Sequence, residues 1–438
     1  VSRALRHVAL ACAAVAAVAV AAPSAGASRA PAYTTYHEPG ENQGDGEPSI
    51  GVDWKTGVAM YQSGLRTMAV TFDGRGAHWT ERSDLTESRE TLDPILYTDG
   101  PTGRTYVSQL AADCSLLAYS DDDGKNWTQT TGCGPGVYVD HQTVGAGPYA
   151  TATLPNLNVL TDHAVYYCAQ AVVNASCARS DNGGLSFGPA VPMYPAADCV
   201  GLHGHVRVAP DGTVYVPQMD CGGKQGFAVS EDNGVTWAIR TVPGSTANDE
   251  SDPSVASGAD STTYYGYQDG KGNANTRAMV AVTSDHGRTF GKPVDVSSRL
   301  GVKNVQFPEM IAGDGDRAAF AFLGSKTGGN DQADDYNGTW HLYVATTYDR
   351  GRTWTTVDAT PKELVQRGCI KLTGCSHRNL LDFNDIALDK QGRVYVGWAD
   401  GCPAACERGA PWNPNWHSAT ITRQSSGRGL FKAYDGKI

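Results

Sequence analysis

Seven short apolar segments in this chain each open on a side chain that can exchange a proton or hold a cation. They are Glu47 in "EPSIGV", Asp93 in "DPILYT", Asp140 with His141 in "DHQTVG", His205 in "HVRVAP", Asp252 in "DPSVAS", Glu309 in "PEMIAG" and Asp385 in "NDIALD". His203 lies two residues before His205. Carboxylates held close together raise one another's pKa, which creates an acid beside a base. The same crowding can hold a cation such as calcium, and a structural Ca2+ is the alternative occupant; no metal-ligand set is assigned. A second column follows, three residues after a recurring tyrosine position: Gln62, Gln109, Gln170, Gln218 and Gln268, with Leu323 and Trp398 in the last two units. Amides and carboxylates around one funnel suit the paired hydrogen bonds of sugar hydroxyls. The structural reading of these residues is that the acids cap strand starts and the glutamines bond backbone, since repeated polar residues usually serve repeated structure. The catalytic candidates are Asp93, Asp140, His141, Asp252, Glu309 and Asp385. The binding candidates are Glu47, the five glutamines, His205, Arg66, Arg207, Arg378 and Trp398.

The elements that must place these residues are short strands. Glycine is abundant, at 51 residues, charged residues make up only 18%, and no long helical periodicity follows the N-terminus. A box of the form Ser/Thr-x-Asp/Asn-x-Gly-x-x-aromatic recurs at Ser120, Ser180, Ser230, Thr283 and Thr347, with worn copies in "TFDGRGAHW" and "TRQSSGRGLF". Each unit reads strand, strand, strand, box, strand. In the box the Asp or Asn is expected to accept backbone N–H bonds, the glycine to supply an unusual backbone angle, and the aromatic to tuck between sheets. A feature copied once per unit reads as architecture, so Asp122, Asp232 and Asp349 are not taken as catalytic. Four-stranded units at this spacing predict an all-β fold, a seven-bladed β-propeller with six blades as the alternative. The segment "YTTYHEPG" (33–40) is expected to pair with the last blade and close the ring. Chain direction puts the strand starts and the links between second and third strands on one face and the boxes on the other, and the first face is the expected active face. Its longest insertions are 323–340 and 399–416, the latter bringing Trp412 and Trp416.

Residues 1–27 read as an export signal: Arg3 and Arg6, the apolar run "VALACAAVAAVAVAA" and the small-x-small site "AGA". Residues 28–438 then form a single domain, secreted and expected to be monomeric. The formal net charge is −11, and losing the two leader arginines makes it more negative. An acidic chain without a basic cluster is a poor partner for nucleic acid or anionic membranes. Of eleven cysteines one lies in the leader. Ten remain, as in an oxidised exported protein, with Cys114–Cys133, Cys168–Cys177, Cys199–Cys221, Cys369–Cys375 and Cys402–Cys406 as the neighbour pairing.

The five boxes resemble those of the Asp-box (BNR-repeat) proteins of the sialidase superfamily, and the repeats they mark span about residues 40–438. The resemblance implies a propeller. It leaves activity open, because such propellers include sialidases, other glycosidases, polysaccharide lyases and non-catalytic binders. A sialidase of this type would carry three arginines, an Arg-Ile-Pro segment, an aspartate acid/base and a tyrosine nucleophile assisted by a glutamate. Here the first-blade strand reads "GEPSIG", with Glu47 ahead of the proline. Arg66, Arg207 and Arg378 are the best matches for the arginines, each with an ordinary salt-bridge reading beside it. The resulting expectation is a secreted glycan-active enzyme, glycosidase or lyase, acting on a carbohydrate partner. The alternatives are a non-catalytic glycan- or protein-binding propeller and a diverged exo-α-sialidase.

Overall fold

The computed structural model describes residues 30–40, 45–85, 93–111, 114–131, 139–150, 161–171, 174–247, 251–270, 274–370 and 375–438. Their strands form seven antiparallel sheets arranged as a seven-bladed propeller. The inner strands are Ser49–Val52, Pro94–Asp99, Val139–Pro148, Cys199–His203 continued by Arg207–Val208, Ser254–Ser257, Asn304–Ala312 and Asp385–Leu388 in blades 1 to 7. Blade 7 takes its outermost strand from the other end of the chain: Ala32–His37 pairs antiparallel with Ser418–Ser426. That pairing closes the ring as expected and covers the outer edge of Ser418–Ser426.

Blades pack face to face through aromatic and aliphatic side chains of the middle strands. Tyr166, Tyr215, Tyr264 with Phe320, and Val396 are fully buried, in four separate layers between successive blades from the third to the seventh. At the axis the inner strands approach so closely that some positions admit no side chain. A Cβ on Gly51 would lie 2.3 Å from the Thr98 hydroxyl of the next blade, and one on Gly147 would lie 2.6 Å from Val208.

The boxes connect third to fourth strands, and the five regular copies share one bonding scheme. In the third copy the Ser230 hydroxyl accepts the Gly234 N–H at 2.8 Å, while Asp232 accepts the Thr236 N–H at 2.8 Å and its hydroxyl at 2.6 Å. Gly124, Gly184, Gly234, Gly287 and Gly351 all have φ between 77° and 93°, a region that L side chains resist. Sequence reasoning gave the turn's hydrogen bonds to the Asp or Asn; the first-position hydroxyl also accepts the glycine N–H in all five regular copies.

Four expected disulfides are present: Cys168–Cys177, Cys199–Cys221, Cys369–Cys375 and Cys402–Cys406. The fifth, Cys114–Cys133, and the export signal fall outside the described residues. Among the described residues no helix is long and apolar enough to cross a membrane.

Ser230→Ala leaves the buried Gly234 N–H without its acceptor. It should lower stability by about 1–3 kcal/mol, read as a lower urea midpoint with an unchanged m-value.

Candidate functional site

The strand starts do converge on the axis. His141 Nδ1 lies 3.8 Å from Asp93 and its Nε2 lies 3.5 Å from Asp252. His205 Nδ1 lies 3.9 Å from Glu309 Oε1 and 3.8 Å from Asp385 Oδ1, and Arg207 reaches Asp385 at 3.2 Å. The rings of His141 and His205 are parallel with centroids 6.4 Å apart, and His203 sits edge-on to His141 at 5.1 Å. Phe383, from the segment leading into blade 7, stands edge-on to His205 at 4.8 Å and to His141 at 6.1 Å. Six of the seven starts, the third of them through His141, are thus united in one layer, and the seventh, Glu47, lies close enough to Asp93 to feel its charge. Asp140 has its backbone in the strand Val139–Pro148 and its side chain outside the described residues.

This layer is buried. Glu47, Asp93, His141, His203, His205, Asp252, Glu309 and Asp385 are each 7% exposed or less. Burial pushes the Glu309 carboxyl well above the usual range, with Asp385 adding to the effect. Burial does the same for Glu47, with Asp93 and Asp382 contributing. It drives the His203 imidazole down to about 3 and lowers His205 as well. Three of the bends that turn the chain into this layer are left-handed at residues other than glycine: Glu47, His141 and Phe307 have φ of 53°, 71° and 53°. Such backbone is costly and tends to mark working sites.

Several of these groups also hold neighbouring blades together. Asp385 accepts the Ile50 N–H at 3.0 Å and Asp93 accepts the Gln142 N–H at 3.0 Å, so the strand-capping reading holds for both. Gln218 donates to the Tyr194 hydroxyl and the Gly201 carbonyl, and Gln170 donates to the Ala171 carbonyl. Gln62 is buried in the second strand of blade 1, while the amides of Gln109 and Gln268 are buried with no hydrogen-bond partner. Leu323 and Trp398 are core residues, with the Trp398 indole donating to Thr422. The three arginines lie in different places, each held by a carboxylate: Arg66 by Glu38 at 2.7 Å, Arg207 by Asp385, and Arg378 by Asp382 at 2.7 Å.

Among the described residues a cavity lies at the other end of the axis. Its volume is about 370 Å³, and it is walled by the closing residues of all seven inner strands, among them Val52, Asp99, Pro148, Val208, Ser257, Ala312 and Leu388. It therefore opens on the face that carries the boxes. The links that would rim the expected funnel at the strand starts lie largely outside the described residues. Among those described, imidazoles and Phe383 pack together at the start end, while the small residues Ala256, Ala312 and Ala387 line the cavity beyond. Arg207 and Asp385 alone among the candidates reach the cavity, at its floor.

The cavity wall supplies groups that sequence reasoning missed. His163 Nδ1 meets Asp99 Oδ2 at 2.5 Å, and that hydrogen bond raises the imidazole pKa. Tyr97 and Trp54 add aromatic surface. Both members of the His163–Asp99 pair stand at strand ends that open on the box face, the signal that would have found them. A second cavity of about 380 Å³ lies beside the 399–416 insertion, lined by His37, Glu363, Asp400, Glu407 and Trp416. Trp412 stacks on His377 at 4.3 Å.

No protein-family model and no curated protein matches the chain. Among solved structures it is similar to a protein of unknown function from Dyadobacter fermentans (13% identity, 89% of this chain and 97% of that one, TM-score 0.44). It is also similar to an ulvan lyase of polysaccharide lyase family PL25 (11%, 81% and 91%, TM-score 0.46) and to the Hadza microbial sialidase Hz136 (16%, 88% and 66%, TM-score 0.39). The seven-bladed assignment rests on the strand pairing of this chain itself, and the neighbours' activities are statements about those proteins.

Glu47 keeps its proton to higher pH in the folded protein than in the unfolded chain. Its contribution to stability is whole below the ordinary glutamate range and falls as pH rises through the elevated folded value. Glu47→Gln removes that loss, so its stability relative to the parent should grow from pH 4 to pH 8 in urea titrations.

Proposed function

We propose that this protein is a secreted glycan-active enzyme, a hydrolase or lyase, that admits a sugar unit into the axial cavity from the box face. The supporting observation is that cavity: all seven inner strands wall it, an Asp385–Arg207 pair forms its floor and an Asp99–His163 pair stands in its wall. Its size suits a small sugar unit. Trp54 and Tyr97 offer faces on which a pyranose can stack. Arg207 suits an anionic substituent such as a uronate carboxylate. His163, oriented by Asp99 and with its proton affinity raised, serves as proton donor, and Asp385 meets the substrate from below as base or nucleophile. In this reading Asp93, Asp252 and Glu309 act from behind the floor, setting the field around Asp385.

A non-catalytic glycan-binding propeller is the second reading. The burial of most carboxylates beneath the floor favours it, because few ionisable groups are left to meet a ligand.

The test is to incubate the mature protein with aryl glycosides, sialyl conjugates and uronate polysaccharides, following reducing ends and the absorbance of unsaturated uronates. Asp385→Asn and His163→Gln should each cut kcat/KM by about 10²- to 10⁴-fold. Silence on every substrate together with retention on a glycan array would establish the binder instead.

A further inference from the structure

The layer beneath the cavity is rich in buried carboxylates. Among the described residues it gathers Glu47, Asp93, Asp252, Glu309 and Asp385, with His141 facing Asp93 and Asp252 and Arg207 on Asp385. Buried anions of this kind need a proton or a cation close by.

One corner of the layer has the shape for the cation. Donor atoms of His205, Glu309 and Asp385 all lie within 4.8 Å of one another, and all three residues are buried. The Nδ1 of His205 points at Glu309 Oε1 and Asp385 Oδ1 from 3.9 and 3.8 Å, too far for a hydrogen bond, and it has no hydrogen-bond partner. Two ligands about 2.1 Å from a tetrahedral ion stand about 3.4 Å apart, so His205 must close on each carboxylate by a few tenths of an ångström, and the two carboxylate oxygens, within 4.8 Å of each other, by at most about 1.4 Å. The surrounding contacts suit a ligand set. Ser254 donates to Glu309 Oε2 at 2.9 Å, leaving Oε1 to face His205. The Ile50 and Ile386 amides and Arg207 fix both oxygens of Asp385. Partners of this kind orient metal ligands. The charge of Arg207 opposes a cation at Asp385, and the second carboxylate ligand, Glu309, offsets it.

We propose that His205, Glu309 and Asp385 form a binding site for one divalent transition-metal ion, Zn2+ by its donor set, under the floor of the axial cavity. One nitrogen and two carboxylate oxygens, with a fourth position left open, match zinc. Calcium, the ion expected from the acids alone, takes oxygen ligands and gains little from the imidazole. Because Asp385 also lines the cavity, the ion would sit against its floor. The site stands on this geometry whether or not the cavity takes a sugar.

The test is metal content and affinity, independent of any substrate. The mature protein, stripped with chelator and dialysed against Zn2+, Mn2+ or Ca2+, should retain one equivalent of zinc by elemental analysis. His205→Gln and Glu309→Gln should weaken zinc binding by at least about 100-fold in titration calorimetry, and His78→Ala, at the outer edge of blade 1, should bind as the parent does. If either site variant fails to fold, cobalt substitution in the parent still decides: a visible d–d band of tetrahedral intensity supports the site. Zinc bound only adventitiously, at variable stoichiometry and equally in the variants, overturns the proposal, as does retention of calcium alone or of no metal. Any of those results leaves the glycan reading standing, and a silent substrate panel leaves the metal site standing.

Discussion

The molecule depends on a buckle repeated around its axis: a side-chain oxygen near the start of one inner strand accepts a backbone N–H from the next blade. Asp385 takes the Ile50 amide, Asp93 that of Gln142, Thr143 that of Val206, and Ser254 that of Met310. Inner strands of neighbouring blades share no ladder, so these amides would otherwise be buried without partners, a cost of about 1–3 kcal/mol each. The buckles hold the strands so near the axis that their starts meet. The carboxylates there have structural and central neighbours at once: Asp93 Oδ2 takes the Gln142 amide and faces His141, and Asp385 Oδ1 takes the Ile386 amide and lies near His205.

That double duty explains the electrostatics. Anchored to backbone, Asp385 and Asp93 cannot move away to relieve repulsion, and His141, His205 and Phe383 pack among them. Burial, with these neighbouring acids adding to it, therefore pushes the carboxyl groups of Glu309 and Glu47 well above the usual range. The cavity beyond meets this charged layer through Asp385 and Arg207 alone, so whatever enters from the box face encounters a field set by residues it never touches.

The blades, their number, the closure by the N-terminal strand and four disulfides were legible in the sequence because each is written repeatedly or locally. The box recurs with the same hydroxyl, acid and glycine, and each bridged cysteine pair is close in sequence. The convergence of the strand-opening acids was legible for the same reason. The cavity at the box face was not. It depends on the small side chains of Ala256, Ala312 and Ala387 at the ends of inner strands, residues brought together only by the ring. Phe383 belongs to no repeat, and His163 finds Asp99 across a blade boundary 64 residues away. The glutamine column was visible, but Gln170 and Gln218 turn to local backbone and hydroxyl partners, which one-dimensional alignment cannot distinguish from facing a ligand.

The strand Ala32–His37 finds its mate nearly the whole chain away: Thr35 and Thr422, bonded hydroxyl to hydroxyl, are separated by 387 positions. Circular closure of this kind is an all-or-nothing event with a high entropic threshold. Six blades can begin to assemble while the polypeptide is still emerging, but the seventh must wait for the last segment, and until then the first strand of the domain hangs unclaimed. A nascent molecule caught at that stage would present two complementary raw edges, and a second molecule at the same stage could exchange them.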